Sequence, residues 1–447
     1  MRYMMRLKTW MILASLSAGA ALVAAQSSGT RPLIVGIDDA VAKAVSNQPL
    51  ILQAEANVAA ARAKEAQAKS AYLPNVSAAA SYLRLEPQEG AVFGPAKFIM
   101  TPEDIWDFHF QAGVLVYDFG KRELQVKLAE SGVEAASVGI DQIKTSIAFQ
   151  TAQAFETALF LRSEVKALDE QLGTLQQHLQ DTQKREETGS STHYDVLTTQ
   201  VRLASVKSQR IDAAGQYAKQ RIALKQLMGL GPDEDFDLQG DFALVQPSGD
   251  AKAAQAAAMS QRSDIAQALT AEKQAQLGLD LAKLGHLPSI SAQAQAGYKD
   301  GVLTFDNADI NKLMLNWNLG VMVSVPIFDG LLTERRGEEA GAKLAAARSG
   351  TEALKRSIAA QVLQALQDVE SSHQQTDNSL AQLAQAQEAL NMAKIQYEIG
   401  VGTNLEYLDS QTSLELAKLN NLGATYRELL SQLQLKQALG ARLWEKN

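Results

Sequence analysis

The sequence predicts an α+β membrane protein in which very long helices alternate with a few amphipathic strands. Residues 103–231 and 327–447 contain no proline, so each block permits long uninterrupted helices. Four segments alternate apolar and polar side chains with a period of two, as strands do. Several motifs recur at an offset of 211 residues, which indicates two copies of one structural unit within the chain.

The first 25 residues have the layout of a secretory signal. Arg2, Arg6 and Lys8 precede an apolar run over residues 10–23, and small residues follow it. This pattern predicts a signal peptide over residues 1–25 and an exported mature chain. An uncleaved membrane anchor is the alternative, although the run is shorter than the ~20 apolar residues that a spanning helix requires.

Each proline-free block is predicted to form a helical hairpin. Leucines at 168, 172, 175 and 179 follow coiled-coil spacing, and so does the apolar series from Leu416 to Leu433. Helices of about 60–70 residues would be ~100 Å long. Glycine-containing segments at 189–191 and 400–402 interrupt the blocks, and glycine adopts the left-handed geometry common at helix ends. These two segments are therefore the predicted tips of the hairpins.

Four strands are predicted, at residues 76–84, 108–116, 289–298 and 313–327. Their apolar side chains share one face, and polar side chains share the other, which is typical of a barrel that faces lipid. A half-buried sheet in a soluble domain is the alternative, and four such strands in an exported chain disfavour it. Residues 86–106 and 299–312 contain much Gly, Asp and Pro, which predicts outward loops.

One chain has too few strands to form a pore. Four strands cannot close around a lumen, because about eight strands already give a barrel interior that side chains just fill. An open sheet edge in lipid would leave backbone groups without hydrogen bonds, so several chains must share one barrel. Three chains would give twelve strands, and the residues alone leave two or four chains open. The expected organisation is a first repeat at 26–230, a linker or equatorial region at 231–262, and a second repeat at 263–447.

The composition excludes several classes of function. The 447 residues include 50 acidic and 42 basic side chains, an acidic balance that disfavours nucleic-acid binding. Cysteine is absent and histidine occurs five times, without the spacing of a metal or nucleophile motif. The sequence therefore predicts no catalytic residue, no cofactor and no metal site, and it predicts that the protein is not an enzyme.

The order of the motifs resembles that of the TolC-like outer-membrane efflux family, the outer membrane factors. No single motif is specific, but the order occurs twice over and covers nearly all of residues 37–440. The residues that carry the resemblance are the two tips, Asp39-Ala40, Asn47-Gln48-Pro49, Leu73-Pro74, Asp118-Phe119-Gly120, Arg262-Ser263-Asp264, Leu287-Pro288 and Phe328-Asp329-Gly330.

The resemblance implies a homotrimer in which a twelve-stranded barrel in outer-membrane lipid continues into a long periplasmic α-helical barrel. It also implies an exit duct of a tripartite efflux or type I secretion system. Its partners would be a periplasmic adaptor (membrane fusion) protein and an inner-membrane pump of the RND, ABC or MFS type. The resemblance is equally consistent with export of drugs, of metals or of proteins. The rival prediction is a periplasmic or surface coiled-coil spacer without transport activity.

The resemblance assigns roles to residues near the tips. Glu406 and Asp409 lie one helical turn apart, and their family counterparts ring the periplasmic entrance, where carboxylates favour cations. Two solvated surface charges are the alternative. Asp195 and Tyr397 match positions that hold the entrance shut, with a tyrosine hydroxyl donating to a carboxylate. The arginine partner of that contact falls at Gly402, so the resting entrance is expected to be looser or closed by other contacts.

The tip residues are the expected docking points for the adaptor. They are Gly189, Ser190, Ser191, Gly400, Val401 and Gly402. Turn chemistry alone also favours glycine and serine at such positions, so the residue types do not separate docking from a purely structural role.

Overall fold

The computed structural model describes residues 33–88, 90–231, 233–240, 250–302 and 309–445. The predicted signal peptide at 1–25 lies outside these residues. The helices are α1 (Ile37–Asn47), α2 (Pro49–Ser70), α3 (Lys121–Glu187), α4 (His193–Leu227), α5 (Ala251–Gln261), α6 (Ser263–Lys283), α7 (Leu332–Glu398) and α8 (Asn404–Leu439). The strands are β1 (Leu33–Val35), β2 (Asn75–Arg84), β3 (Gly90–Phe93), β4 (Ala96–Ile99), β5 (Asp104–Tyr117), β6 (Phe236–Leu238), β7 (Ser289–Lys299) and β8 (Met314–Ser324).

The two predicted helical hairpins are confirmed as α3–α4 and α7–α8. Helices α3 and α7 each contain 67 residues, and α7 begins 211 residues after α3. At ~1.5 Å per residue each is about 100 Å long. Among the described helices none is both long enough and apolar enough to cross a bilayer.

The four predicted strands form one antiparallel sheet in the order β2-β5-β7-β8. The predicted strand bounds need two corrections. Strand β5 already begins at Asp104, inside the expected loop, and β8 ends at Ser324, although the pattern continued to residue 327. Proline at 326 has no N–H for the ladder, which explains the earlier end. The first expected loop, at 86–106, also contains the short hairpin β3–β4. In the second expected loop, residues 303–308 lie outside the described residues.

The register of the sheet brings the apolar residues of all four strands onto one face. Ala296 of β7 lies between Phe110 of β5 and Trp317 of β8. Trp317 and Leu319 are 70% and 73% exposed, so none of the described residues covers that face there. The opposite face is polar, and on it the amide of Asn318 donates to Gln295 Oε1 at 3.3 Å.

A buried ion pair fixes the junction between the sheet and α3. Asp118 Oδ2 accepts the backbone N–H of Arg122 at 2.8 Å and its Nε–H at 3.1 Å. The same guanidinium lies over the ring of Tyr72 and donates to the backbone carbonyls of Ala71, Leu115 and Val116. At the start of α7, Asp329 Oδ2 accepts the N–H and hydroxyl of Thr333. Arg122 thus ties α3 to β5, and Asp329 fixes the first turn of α7 to the residues just before it.

Strands β1 and β6 form a small parallel pair beside the middle of the helices. Phe236 of β6 packs with Phe155 of α3 and Leu224 of α4 in one core cluster. Helix α5 packs through Ala258 against Ile358 of α7. The described part of 231–262, predicted as a linker or equatorial region, therefore contains packed elements.

We predict that Gly297→Ala destabilises the sheet, because β5 passes too close to Gly297 for any side chain. Gly297 lies opposite His109, and a Cβ there would overlap the Phe108 carbonyl oxygen and the His109 Cα. Overpacking of this kind costs about 1–3 kcal/mol. Thermal unfolding in detergent, followed by circular dichroism, measures it.

Gly320→Ala in β8 is the matched control. A Cβ at Gly320 would lie 3.9 Å from the nearest atom, Gln293 Cγ. Equal unfolding midpoints for the two variants would contradict the close approach at Gly297.

Candidate functional site: the hairpin tips

The two hairpins end in tips with the same backbone hydrogen bonds. We call residues 188–192 the first tip and residues 399–403 the second tip. In the first tip, the N–H groups of Ser190 and Ser191 donate to the Arg185 carbonyl at 2.7 and 3.2 Å. In the second, those of Val401 and Gly402 donate to the Gln396 carbonyl at 3.0 and 2.9 Å. Residues 189 and 400 have φ of 77° and 80°, a left-handed geometry that favours glycine.

Each tip leads into a capped helix. Thr192 and Asp195 form a capping box at the start of α4, and Thr403 and Glu406 form one at the start of α8. Asp195 Oδ2 accepts the N–H of Thr192 at 2.9 Å, and Glu406 Oε2 accepts the N–H of Thr403 at 2.8 Å. Each box satisfies backbone donors that the helix itself cannot pair.

The capping boxes determine the charge of both carboxylates. The backbone and hydroxyl hydrogen bonds of Thr403 hold the pKa of Glu406 below its usual value. For Asp195, partial burial raises the pKa, but hydrogen bonds from Thr192 and Ser191 outweigh it, and the pKa is lowered overall. Both groups therefore stay ionised at neutral pH. Their contribution to stability is present above the ordinary carboxyl pKa and is lost as the pH falls through the lowered value.

The second predicted entrance carboxylate has a partner on another helix. Asp409 is exposed, and its Oδ1 lies 3.7 Å from Arg202 Nη2 of α4. The guanidinium reduces the net charge that Asp409 presents. No local sequence pattern reveals Arg202 as this partner, because the two residues are distant in sequence and no single-helix spacing links them.

The structure does not join the predicted pair Asp195 and Tyr397 by a hydrogen bond within one chain. Asp195 Oδ2 is occupied by Thr192 and by Ser191, whose hydroxyl donates at 3.1 Å. The Tyr397 hydroxyl is buried and has no hydrogen-bond partner in the described part of the chain. The tyrosine ring instead lies under the Arg185 guanidinium, 4.6 Å from the ring centroid.

Gly402 occupies a position with little room for a side chain. A Cβ there would lie 3.0 Å from Gln396 Cβ and 3.2 Å from the backbone nitrogen of Tyr397. The second tip is therefore folded around a glycine, and an arginine could be accommodated there only if the turn shifted.

A groove of about 490 Å³ runs between α4 and α8 beside the tips. Tyr194 and Val201, on its α4 side, are 70% and 71% exposed. Leu405 and Leu408 line it from α8, and Arg202 is its charged lining residue. In the described residues we find no cluster of three or more His, Asp or Glu side chains suited to hold a metal ion.

We predict that Thr403→Ala weakens the second tip by about 1 kcal/mol, because it removes the hydroxyl that caps the Glu406 N–H. Hydrogen exchange of the amides in the first turn of α8 measures this local stability. Thr403→Ser keeps a capping hydroxyl and is the control. Exchange that is equally slow in Thr403→Ala and the wild type would contradict the capping role.

Comparisons with known proteins identify the family. The family model described as "Outer membrane efflux protein" matches residues 40–230 and 255–441. Outer membrane protein TolC of Vibrio cholerae is 26% identical over 328 residues, which cover 71% of each chain. Outer membrane efflux protein BepC of Brucella suis is 21% identical over 413 residues, 92% of this chain and 87% of the relative.

A solved structure shows the same fold. The outer membrane protein VceC from Vibrio cholerae superposes with a TM-score of 0.76 at 20% identity, over 91% of this chain and 96% of that chain. The chain belongs to the outer membrane efflux protein family as a TolC-like outer membrane factor, located in the outer membrane with a large periplasmic portion.

Proposed function

We propose that this protein is the passive exit duct of a tripartite efflux or type I secretion system. Substrate would pass from a periplasmic adaptor and an inner-membrane pump, through the helical part and the barrel, to the exterior. The observation that carries the proposal is the continuous apolar face of the sheet, which one chain leaves uncovered at residues such as Trp317 and Leu319. Lipid is the environment that suits such a face.

The proposed assembly is a homotrimer. Strands β2 and β8 are the edges of the four-stranded sheet, so their outer backbone groups need partners from other chains. Three copies would form a closed barrel of twelve strands, wide enough for a water-filled pore. The three pairs of hairpins would then continue the pore as an α-helical barrel of about 100 Å.

We also propose that the chain consists of two structural repeats, at residues 26–230 and 263–447, joined by 231–262. The equal lengths of α3 and α7 and the matched capping boxes at Asp195 and Glu406 support this division. Each repeat would supply two strands and one helical hairpin to the assembly.

At the entrance, three copies of Glu406 and Asp409 would form a ring of six carboxylates. Glu406 stays ionised because the cap of α8 lowers its pKa. Arg202 partly offsets the charge of Asp409. We infer a cation preference that comes mainly from Glu406. Asp195, through the cap of α4, and Tyr397, through its packing against Arg185, would act with this ring as gate residues, without a direct hydrogen bond between them in one chain.

The tips would be the docking points for the adaptor, at Gly189, Ser190, Ser191, Gly400, Val401 and Gly402. The exposed groove between α4 and α8 supports this role, since it offers an apolar surface next to both tips. The pump would be of the RND, ABC or MFS type, and no cofactor is needed in a passive duct.

The rival function is a coiled-coil spacer without transport activity. Long hairpins would serve both functions equally. The uncovered apolar face of the sheet favours the duct, because a spacer in water would expose a large apolar surface at that end.

We predict cation-selective single channels in planar bilayers under a salt gradient. Glu406→Gln together with Asp409→Asn is expected to lower the cation preference by about tenfold, because carboxylates at a narrow entrance concentrate cations. Arg202→Gln, which releases Asp409, is expected to raise it. The reversal potential measures each change.

Glu352→Gln is the control, since the exposed Glu352 lies on α7, far along the helix from the tips, and pairs with Lys355. It should leave the reversal potential unchanged. A folded oligomer that never inserts into the bilayer or conducts would contradict the duct and favour the spacer.

A further inference from the structure

A buried cluster joins the two hairpins just behind the tips. We call its members, His178, Arg185, Tyr397, Asn404 and Tyr407, the hairpin joint. His178 and Arg185 belong to α3, Tyr397 to α7, and Asn404 and Tyr407 to α8. The joint therefore connects the first hairpin to both helices of the second, and none of its hydrogen bonds depends on Gly402.

Asn404 is the hub of the hairpin joint. Its side chain is only 5% exposed, and its Oδ1 lies 2.8 Å from His178 Nε2. Because an amide oxygen can only accept, Nε2 of His178 carries the hydrogen and donates it. The Asn404 amide also donates to the backbone carbonyl of Asp195 on α4, at 3.4 Å. One side chain at the start of α8 thus links α3 and α4.

Aromatic packing surrounds this hydrogen bond. The His178 ring lies 4.5 Å from the ring of Tyr407 and 5.5 Å from that of Tyr397, measured between centroids. The two tyrosine rings stack on each other at 5.5 Å. The Arg185 guanidinium lies over the ring of Tyr397. Its Nη1–H donates to the Tyr397 backbone carbonyl at 3.4 Å. The packed joint has little space for solvent around the imidazole.

Burial lowers the pKa of His178, and the nearby charges do not reverse this shift. The Asn404 hydrogen bond and the carboxylates of Asp181 on α3 and Asp195 on α4 act to raise the pKa, whereas Arg185 lowers it further. From α7 and α8 the imidazole meets the uncharged rings of Tyr397 and Tyr407. The imidazole is therefore neutral in the packed joint.

The sign of the pH effect follows from this neutrality. If the joint opens and water reaches His178, its pKa returns toward the ordinary histidine value of about 6.5. The open state then binds a proton more readily than the packed state. The packed joint is fully favoured above that value and loses stability as the pH falls below it.

We propose that His178 and Asn404 hold the two hairpins of a chain together at the entrance, and that charging His178 in acid releases them and opens the channel. The proposal rests on the proposed function as a duct, and it identifies a positioning pair for the entrance other than Asp195 and Tyr397. The His178–Asn404 pair would also supply the closing contacts that Gly402, which has no side chain, cannot make.

The test is the conductance of the full-length protein in planar bilayers between about pH 7.5 and 5.0, a range above the usual carboxyl pKa values. Wild-type conductance is expected to rise about fivefold on acidification, a typical lower value for coupling between a site and a conformational equilibrium. His178→Gln keeps an amide donor for Asn404 but does not titrate, so its conductance should stay low across the range. Asn404→Ala should be conductive already at pH 7.5.

His193→Gln is the matched control. His193 lies beside the first tip, is exposed and pairs with Glu186, so its loss should leave the acid response intact. A second measurement needs no pore: hydrogen exchange at residues 404–408, with wild type and His178→Gln compared at each pH. Only the wild type should lose protection in acid.

The outcomes separate the two proposals. If no variant conducts at any pH, the duct function and the gating role are both contradicted. If the wild type conducts but His178→Gln shows the same pH dependence of conductance and exchange, the hairpin joint is contradicted and the duct stands.

Discussion

The constraint on which the rest of the structure depends is the pairing of backbone groups at the two edges of a sheet placed in lipid. Strands β2 and β8 end the sheet of one chain, and a bilayer offers no water to pair their outer N–H and carbonyl groups. Closure by further chains removes both edges at once. A barrel shared between chains follows from that requirement, and the proposed trimer, with its pore and threefold arrangement of hairpins, would meet it.

The connection from sheet to entrance is made of a few specific contacts. Asp118 and Arg122 tie β5 to α3, and Asp329 holds the first turn of α7 through Thr333. Helices α3 and α7 then carry the chain about 100 Å to the tips. In the proposed duct this length would separate a rigid barrel from an entrance whose contacts are local. The entrance could therefore open while the barrel stays closed to lipid.

Periodicity made most of the fold predictable from the sequence, because a period of two or of about 3.6 depends on neighbouring residues only. The strand ends were less predictable, since the apolar alternation continued past Pro326 although the ladder did not. The family resemblance identified Asp195 and Glu406 as functional residues near the tips, but their capping role depends on the turn geometry. The ion pair of Arg202 with Asp409 and the bond of His178 with Asn404 join residues more than 200 positions apart, so no local pattern could reveal them.

Cysteine cross-linking between β2 and β8 tests the shared barrel most directly, because the chain contains no cysteine of its own. Within one chain these strands lie three spacings apart, about 14 Å at ~4.8 Å per strand, too far for a disulfide. With Ser81→Cys fixed in β2 and single cysteines scanned along the polar face of β8, we expect covalent species of two and three chains and none larger. Two results for a folded protein would contradict a closed barrel shared by three chains. One is that no cysteine pair cross-links two chains, and the other is that cross-linking gives a series of species larger than three chains.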